Sequence, residues 1–130
     1  MTPFEARLAE TLLAKGRLDV GALDRAARLR EGSGERLDAI LTKLGLIAER
    51  ELAALLADLL GLRVAGADDY PDAPVVEERV TRQFLRAARV LPLAVSGEGL
   101  ALAMADPLDT FVIEAVRLAC GMAVIPWVAV

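Results

Sequence analysis

Histidine is absent from this sequence, cysteine occurs once, and aromatic residues make up only 4% of the chain. Without histidine the commonest general base, metal ligand and nucleophile activator is missing, which excludes most catalytic constellations. Cys120 has neither a second cysteine for a disulfide nor a histidine for a thiol protease pair or a zinc site. Since 55% of the residues are hydrophobic, the core must consist mainly of Leu, Ala and Val, a composition that suits packed helices.

Phosphate-binding loops are also missing. A P-loop needs Gly-Lys followed by Ser or Thr, so that backbone amides, a lysine and a hydroxyl meet phosphate and magnesium, and no Gly-Lys pair occurs. Gly32-Ser33-Gly34 looks like the start of a dinucleotide fingerprint, but Arg36-Leu37 follows where the third glycine should come. We therefore predict no catalytic, metal or cofactor site in this chain.

The charges nearly balance, with 15 Lys and Arg residues against 19 Asp and Glu residues and a net charge of −4. Nonspecific nucleic-acid binding needs a basic surface that displaces counterions from phosphates, so we predict no nucleic-acid partner. The longest apolar stretch, residues 118–130, is interrupted by Pro126 and is too short to span a bilayer as a helix. We expect a cytoplasmic protein.

The first half of the chain repeats one helical pattern. Thr2-Pro3-Phe4-Glu5 has the form of a capping box, which predicts a helix that ends near Gly16. Any two amphipathic hairpins share leucine spacing and glycine stops, but an Arg-Leu pair nine residues before each glycine is more specific. We predict two tandem helical hairpins over residues 1–64. An offset of 29 residues places Arg7 on Arg36, Leu8 on Leu37, Leu12 on Leu41, Gly16 on Gly45, Leu18 on Ile47 and Leu23 on Leu52.

The second half predicts a different kind of unit. Residues 65–75 are rich in Gly, Asp and Pro and predict a linker, and residues 76–130 predict a small α/β unit. Its second helix is expected to follow Asp106-Pro107 and to bury Phe111. The whole chain is therefore predicted to be an α+β protein, a helical subdomain followed by a strand-strand-helix-strand sheet. The predicted elements are one or two short helices within 76–88, strands at 90–95 and 100–105 around a turn at 96–99, a helix at about 108–119 and a strand within 122–130.

Arginines form the most distinctive charge pattern. They recur at intervals of three, four and three residues after the linker, which puts them on one face of a helix if that helix continues far enough. Because arginine offers bidentate hydrogen bonds, such a face suits an acidic partner surface or an anion, and a solvated helix face is the alternative. The predicted partner-binding residues are Arg79, Arg82, Arg86 and Arg89, with a smaller pair at Arg25 and Arg28.

One segment carries a family resemblance. The run Val90-Leu91-Pro92-Leu93, followed by Leu100-Ala101-Leu102-Ala103-Met104-Ala105-Asp106-Pro107-Leu108-Asp109, resembles the amino-terminal domain of type II secretion ATPases of the general secretory pathway protein E family. The same domain occurs in type IV pilus assembly ATPases. The resemblance implies a non-catalytic docking and regulatory domain that binds the cytoplasmic domain of an inner-membrane platform protein of the L type. Such a domain recruits the motor to the inner membrane and is peripheral to that membrane through its partner.

The resemblance also implies a motor beyond Val130. The Walker motifs, the bound ATP and magnesium, and assembly into an oligomer would belong to that missing part. We therefore expect that this chain is not an enzyme and holds no cofactor, although the full-length protein is an ATPase.

Some relatives in this family bind cyclic di-GMP, which gives an alternative function. Their motif runs Arg-Leu-Gly, then a later Gly, then a final Gln, and it occurs twice. Asp38 would bring a carboxylate close to the phosphates of that ligand, which disfavours binding. Docking is thus the preferred reading, and cyclic di-GMP sensing is the alternative. The matching residues are Arg7, Leu8 and Gly16 in one copy and Arg36, Leu37 and Gly45 in the other; the departures are Ala9 and Asp38 in place of Gly, and Arg30 and Leu59 near the Gln positions.

Overall fold

The computed structural model describes residues 1–130. The chain divides into two units, Met1–Leu59, here called the helical unit, and Leu60–Val130, the sheet unit. This is the predicted α+β fold. None of its helices combines the length and the hydropathy that a membrane-spanning helix needs. The helices are α1 (Pro3–Ala14), α2 (Val20–Ser33), α3 (Leu37–Lys43), α4 (Glu49–Leu60), α5 (Arg82–Ala88) and α6 (Thr110–Cys120), and the strands are β1 (Val90–Ser96), β2 (Gly99–Met104) and β3 (Val124–Val128).

The helical unit consists of two helical hairpins in series, as predicted. The capping box at the start of α1 is formed: the Glu5 backbone N–H donates to the Thr2 hydroxyl at 3.1 Å, and the Thr2 backbone N–H donates to the Glu5 carboxylate at 3.0 Å. Asp19 caps α2 by accepting a hydrogen bond from the Ala22 N–H at 2.7 Å. Local capping chemistry therefore fixes where both helices of the first hairpin begin.

The 29-residue repeat is visible in how α1 and α3 end. Each helix closes with a hydrogen bond from the residue after its terminal glycine to a carbonyl five positions back, which is a Schellman-type ending. The two copies differ at their starts, because α2 continues to Ser33 and α3 therefore begins only at Leu37. The equivalent bonds run from Arg17 N–H to Leu12 C=O and from Leu46 N–H to Leu41 C=O, both at 3.0 Å.

Aliphatic side chains fill the core of the helical unit. Their positions follow the helical spacing of the sequence, and the equivalent pairs Leu8 with Leu37 and Leu12 with Leu41 are all buried, whereas Leu23 is only half-buried where Leu52 is buried. The buried side chains on these four helices and their turns include Leu8, Leu12, Leu18, Ala26, Leu37, Ile40, Leu41, Ile47, Leu52, Leu55 and Leu56.

The sheet unit contains three strands in the order β1-β2-β3. β1 and β2 are antiparallel and meet at the tight turn that the sequence predicts, whereas β2 and β3 are parallel and are joined through α6. A short extended segment adds to the outer edge of β3: the Val128 N–H donates to the Arg63 carbonyl at 2.8 Å, and the Ala65 N–H donates to the Val128 carbonyl at 2.9 Å. The sequence did not predict this pairing.

Both faces of the sheet carry apolar clusters. On one face the buried side chains of β2 pack with α6 in a larger cluster, and a smaller cluster contains Leu93 and Ala103 with the half-buried Trp127. The Arg63 guanidinium lies 5.5 Å from the centre of the Trp127 ring, a cation–π arrangement. The larger cluster consists of Val80, Val90, Leu100, Leu102, Met104, Val112, Val116 and Cys120.

Helix α6 corrects the sequence prediction in two respects. It begins at Thr110 because Asp109 is the N-cap and accepts from the Val112 N–H at 3.1 Å, whereas Asp106 closes a separate turn before it. The predicted burial of Phe111 is wrong, since its side chain is 80% exposed. The inward face of the helix consists of Val112, Val116 and Cys120.

Candidate functional site

An open cavity of about 520 Å³ lies in the sheet unit, where α5 runs into β1. Its lining consists of three arginines, one tyrosine and five aliphatic residues. We call this cavity the arginine groove. It is lined by Tyr70, Arg82, Leu85, Arg86, Arg89, Val90, Leu91, Ala103 and Ala129.

Local backbone chemistry explains why these arginines converge. Thr81 caps α5 by accepting from the Phe84 N–H at 3.1 Å, so that Arg82 and Arg86 lie one turn apart on the helix. Arg89 then ends α5 in the left-handed conformation, with φ of 57°. Its side chain reaches the groove because the chain turns there, and not because the helix continues.

The structure gathers three of the four arginines predicted in this segment. Arg79 does not line the groove, because only Arg82–Ala88 is helical and the residues before it form turns. Val76, with φ of 51°, lies outside helical geometry, and of the one or two short helices expected within 76–88 only α5 is an α-helix. The condition for a single helical face of four arginines, a helix that continues from Arg79 to Arg89, is therefore not met.

The charged side chains that line the groove are all positive. Residues 79–89 contain four arginines and no acidic residue. An ion pair in the sheet unit joins Arg117 to Glu114, both on α6, and it holds the pKa of the Glu114 carboxyl below its usual value. Arg82, Arg86 and Arg89 have no carboxylate partner, so their guanidinium groups are available to an anion.

Arg25 and Arg28 lie on α2, in the helical unit. Both side chains are exposed, and neither forms an ion pair. Their spacing of three residues places them on one side of the helix, as predicted, but they line no cavity. They form a separate candidate surface.

The residues of the degenerate dinucleotide motif have structural roles in the helical unit. Leu8 and Leu37 are both fully buried in the core. Arg36 and Asp38 form a bidentate pair, in which Nε donates to Oδ1 at 2.6 Å and Nη2 donates to Oδ2 at 2.8 Å. Arg7, the equivalent of Arg36, is exposed and forms no such pair, since Ala9 takes the place of the acid. Gly16 and Gly45 occupy equivalent left-handed positions after α1 and α3, with φ of 67° and 71°.

Glu5 is a buried carboxylate that joins three segments of the helical unit. It accepts hydrogen bonds from Arg30 Nε at 2.6 Å, from Arg30 Nη2 at 2.8 Å and from the backbone N–H of Leu37 at 2.9 Å. The Arg30 guanidinium is the main cause that lowers the pKa of Glu5 to about 2, against the opposing effect of burial, and the N–H groups of Thr2 and Leu37 add to the lowering. Arg30, which lies near the Gln position of the first motif copy, is therefore already paired with Glu5.

Sequence reasoning missed Tyr70, Leu91 and Glu5 as members of these arrangements. Tyr70 lies in the predicted linker and Leu91 on a strand, and no periodic pattern relates either of them to the arginines of α5. Glu5 was assigned only its capping role. An acid at the third helical position indicates a cap. Nothing in the sequence indicates that Glu5 also pairs with Arg30, which lies 25 residues further along the chain.

Comparisons with known proteins agree with the family resemblance. The family model of the MshEN domain matches residues 60–130. Type II secretion system protein E of Xanthomonas campestris pv. campestris is 37% identical over 122 residues, which cover 91% of this chain and 22% of that protein. The chain thus spans about a fifth of the length of this curated relative.

Two solved structures share the fold. The N-terminal domain of XpsE superposes with a TM-score of 0.79 at 36% identity, over 99% of this chain and 89% of that one. A structure described as MshE with cdg, meaning cyclic di-GMP, superposes with a TM-score of 0.73 at 28% identity, over 94% of this chain and 88% of that one.

Proposed function

The chain belongs to the MshEN domain family, and from this premise we propose that it is a non-catalytic docking and regulatory domain of a type II secretion ATPase. Its partner is the cytoplasmic domain of the inner-membrane platform protein of the L type, through which it recruits the motor. The observation that carries this proposal is the match to the N-terminal domain of XpsE along 99% of the chain at 36% identity.

The surface of the chain supports a docking role. It offers two arginine-rich candidate contacts, the arginine groove of the sheet unit and the exposed Arg25 and Arg28 of α2. Arginine is enriched at protein interfaces, and cations without internal partners complement an acidic surface without first breaking an ion pair.

The wider properties of the full-length protein belong to the same proposal. ATP and magnesium would be bound by the motor domain, which would also form the oligomer. The protein would be cytoplasmic and would reach the inner membrane through its platform partner.

The test is a binding titration of this chain against the purified cytoplasmic domain of the cognate platform protein. We expect a one-to-one complex with a dissociation constant in the micromolar range or below. An unrelated acidic protein of similar net charge is the control, since a charge effect alone would bind both. The absence of association at micromolar concentrations would refute the docking function.

Cyclic di-GMP sensing is the second candidate, supported by the fold shared with the MshE structure. Two local features of this chain oppose it. Asp38 already occupies the guanidinium of Arg36, and Arg30 is held by Glu5. Titration calorimetry with cyclic di-GMP decides between the candidates: we expect no binding at micromolar concentrations, and submicromolar affinity would favour sensing over docking.

A further inference from the structure

We propose that the arginine groove binds an extended acidic segment of the protein partner, with carboxylates at alternate positions and apolar side chains between them. This inference deepens the proposed docking function and rests on it, because it names the contact surface and the chemistry of the partner segment. It concerns the sheet unit alone, and it does not involve the residues of the dinucleotide motif.

The lining of the groove favours a peptide over a nucleotide. Apart from three guanidinium groups and the Tyr70 hydroxyl, its side chains are Leu, Val and Ala. Reading a base or a sugar takes convergent hydroxyl, amide or carboxylate groups, and no such side chain other than Tyr70 is present. Aliphatic side chains next to arginines instead suit a segment with alternating apolar and acidic residues.

The positive charge of the groove favours an anionic ligand. The sheet unit as a whole contains 6 arginines and 9 acidic residues, yet residues 79–89 hold four of those arginines and no acid. A local positive patch on an otherwise acidic unit both attracts an acidic segment and orients it. Arginine is the appropriate cation, because its planar group binds a carboxylate through two parallel hydrogen bonds.

The spacing of the arginines fits an extended chain. Arg82 and Arg86 are separated by four residues of helix, a rise of about 6 Å. Alternate residues of an extended strand lie about 6.6 Å apart and point to the same side. Carboxylates two positions apart on such a segment can therefore meet Arg82 and Arg86, and a third can reach Arg89.

Strand β1, which borders the groove, is poorly suited to pair with the backbone of a partner segment. Side chains are therefore expected to hold that segment. β1 is an edge strand, and no other backbone segment bonds to its outer side. However, Pro92 lacks an N–H, and the register of β1 shifts between Pro92 and Ala94. Both features interrupt a continuous ladder, so the partner segment is held by arginine–carboxylate pairs and by contact with the 40% exposed Leu91.

The test uses the whole chain and a labelled peptide of sequence Glu-Leu-Glu-Leu-Glu with blocked ends. The groove variant is Arg82→Gln with Arg86→Gln. The matched control is Lys15→Gln with Arg50→Gln, which removes the same charge from exposed positions of the helical unit. We expect the groove variant to bind at least about 10-fold more weakly and the control to stay within about 2-fold of wild type. Thermal unfolding of each variant shows that it is folded.

Four further results would overturn the proposal. They are equal weakening in both variants, equal binding of a Gln-Leu-Gln-Leu-Gln peptide, no decrease of affinity with added salt, and displacement of the peptide by pyrophosphate at lower concentrations than by unlabelled peptide. The last result would identify a site for phosphate anions.

The platform protein separates this inference from the docking function. If its cytoplasmic domain binds wild type and the groove variant equally, docking stands and the groove is not the contact. If it binds neither protein while the peptide binds wild type with the expected arginine dependence, the groove chemistry stands and the docking function is wrong.

Discussion

Glu5 illustrates, at the scale of one residue, how a helix-capping carboxylate can also hold a second helix in place. α3 has no capping side chain of its own, because Arg36 is its N-cap, and the Glu5 carboxylate accepts from the first N–H of that helix, that of Leu37. The same carboxylate binds Arg30 near the end of α2. One buried acid therefore satisfies donors from the starts of α1 and α3 and from α2.

Replacing Glu5 by Gln is predicted to destabilise the protein by about 1–3 kcal/mol at neutral pH, because hydrogen bonds to a charged group are lost or weakened. The pKa of Glu5 is about 2 in the folded protein and near 4.5 when unperturbed. A lowered folded-state pKa means that the stabilisation is complete above about pH 4.5 and is lost as the pH falls towards 2. Urea unfolding at a series of pH values measures both effects.

The control for Glu5 is Glu10→Gln, an exposed acid on the same helix that forms no ion pair. It should change stability by less than about 0.5 kcal/mol. If wild type and Glu5→Gln lose stability in parallel between pH 4.5 and 2, the assigned role of this carboxylate is wrong.

Gly99 is a second position where one residue decides the local structure. It opens β2 with φ of 133°, and a Cβ there would lie 2.4 Å from the carbonyl oxygen of Ala123. Gly99→Ala is therefore predicted to lower the free energy of unfolding by at least about 2 kcal/mol. Gly97→Ala, in the same turn with open space around its Cβ, should cost far less. Chemical unfolding of both variants tests this contrast, and equal effects would contradict it.

At the scale of elements, α6 buries one side and exposes the other. Val116 lies in the core, whereas Phe111 faces outward. Val116→Ala is predicted to cost about 2 kcal/mol. Phe111→Gln should stay within about 0.5 kcal/mol of wild type. A thermal or chemical unfolding comparison in which Phe111→Gln is the more damaging change would contradict this orientation.

At the scale of the whole molecule, the residues before residue 76 decide where the sheet unit begins. The sheet unit and the family match both begin at residue 60, whereas the sequence divided the chain into 1–64, 65–75 and 76–130, a division that stays a prediction. Arg63 and Ala65 each form a backbone hydrogen bond with Val128. The segment before residue 76 thus contributes to the sheet.

A piece spanning residues 60–130 is therefore predicted to fold on its own, and a piece spanning 76–130 is predicted to be less stable by about 1–3 kcal/mol. The difference corresponds to two backbone hydrogen bonds, with the contact of Arg63 and Trp127 in addition. Unfolding monitored by Trp127 fluorescence compares the two pieces. Equal stability would mean that 65–75 is a simple linker, as the sequence predicts.

Short-range patterns let the sequence alone determine most of the secondary structure. The capping box at Thr2 acts over a few residues and the 29-residue repeat lies within the first half of the chain, and the structure contains the helices that they indicate. The absence of histidine and of a phosphate loop led in the same direct way to the expectation of no catalytic site, which stays a prediction. The family resemblance also came from a contiguous run of residues.

Tertiary structure decided what depends on distant parts of the chain. The pairing of Glu5 with Arg30, the attachment of residues 63–65 to β3, and the approach of Tyr70 to the arginines each join segments that no local pattern relates. The left-handed turn at Arg89 placed three arginines around a groove, whereas the sequence put four on one helical face only if the helix continued that far. Periodicity indicates which side of an element is apolar, but the packed chain determines which side chains come together.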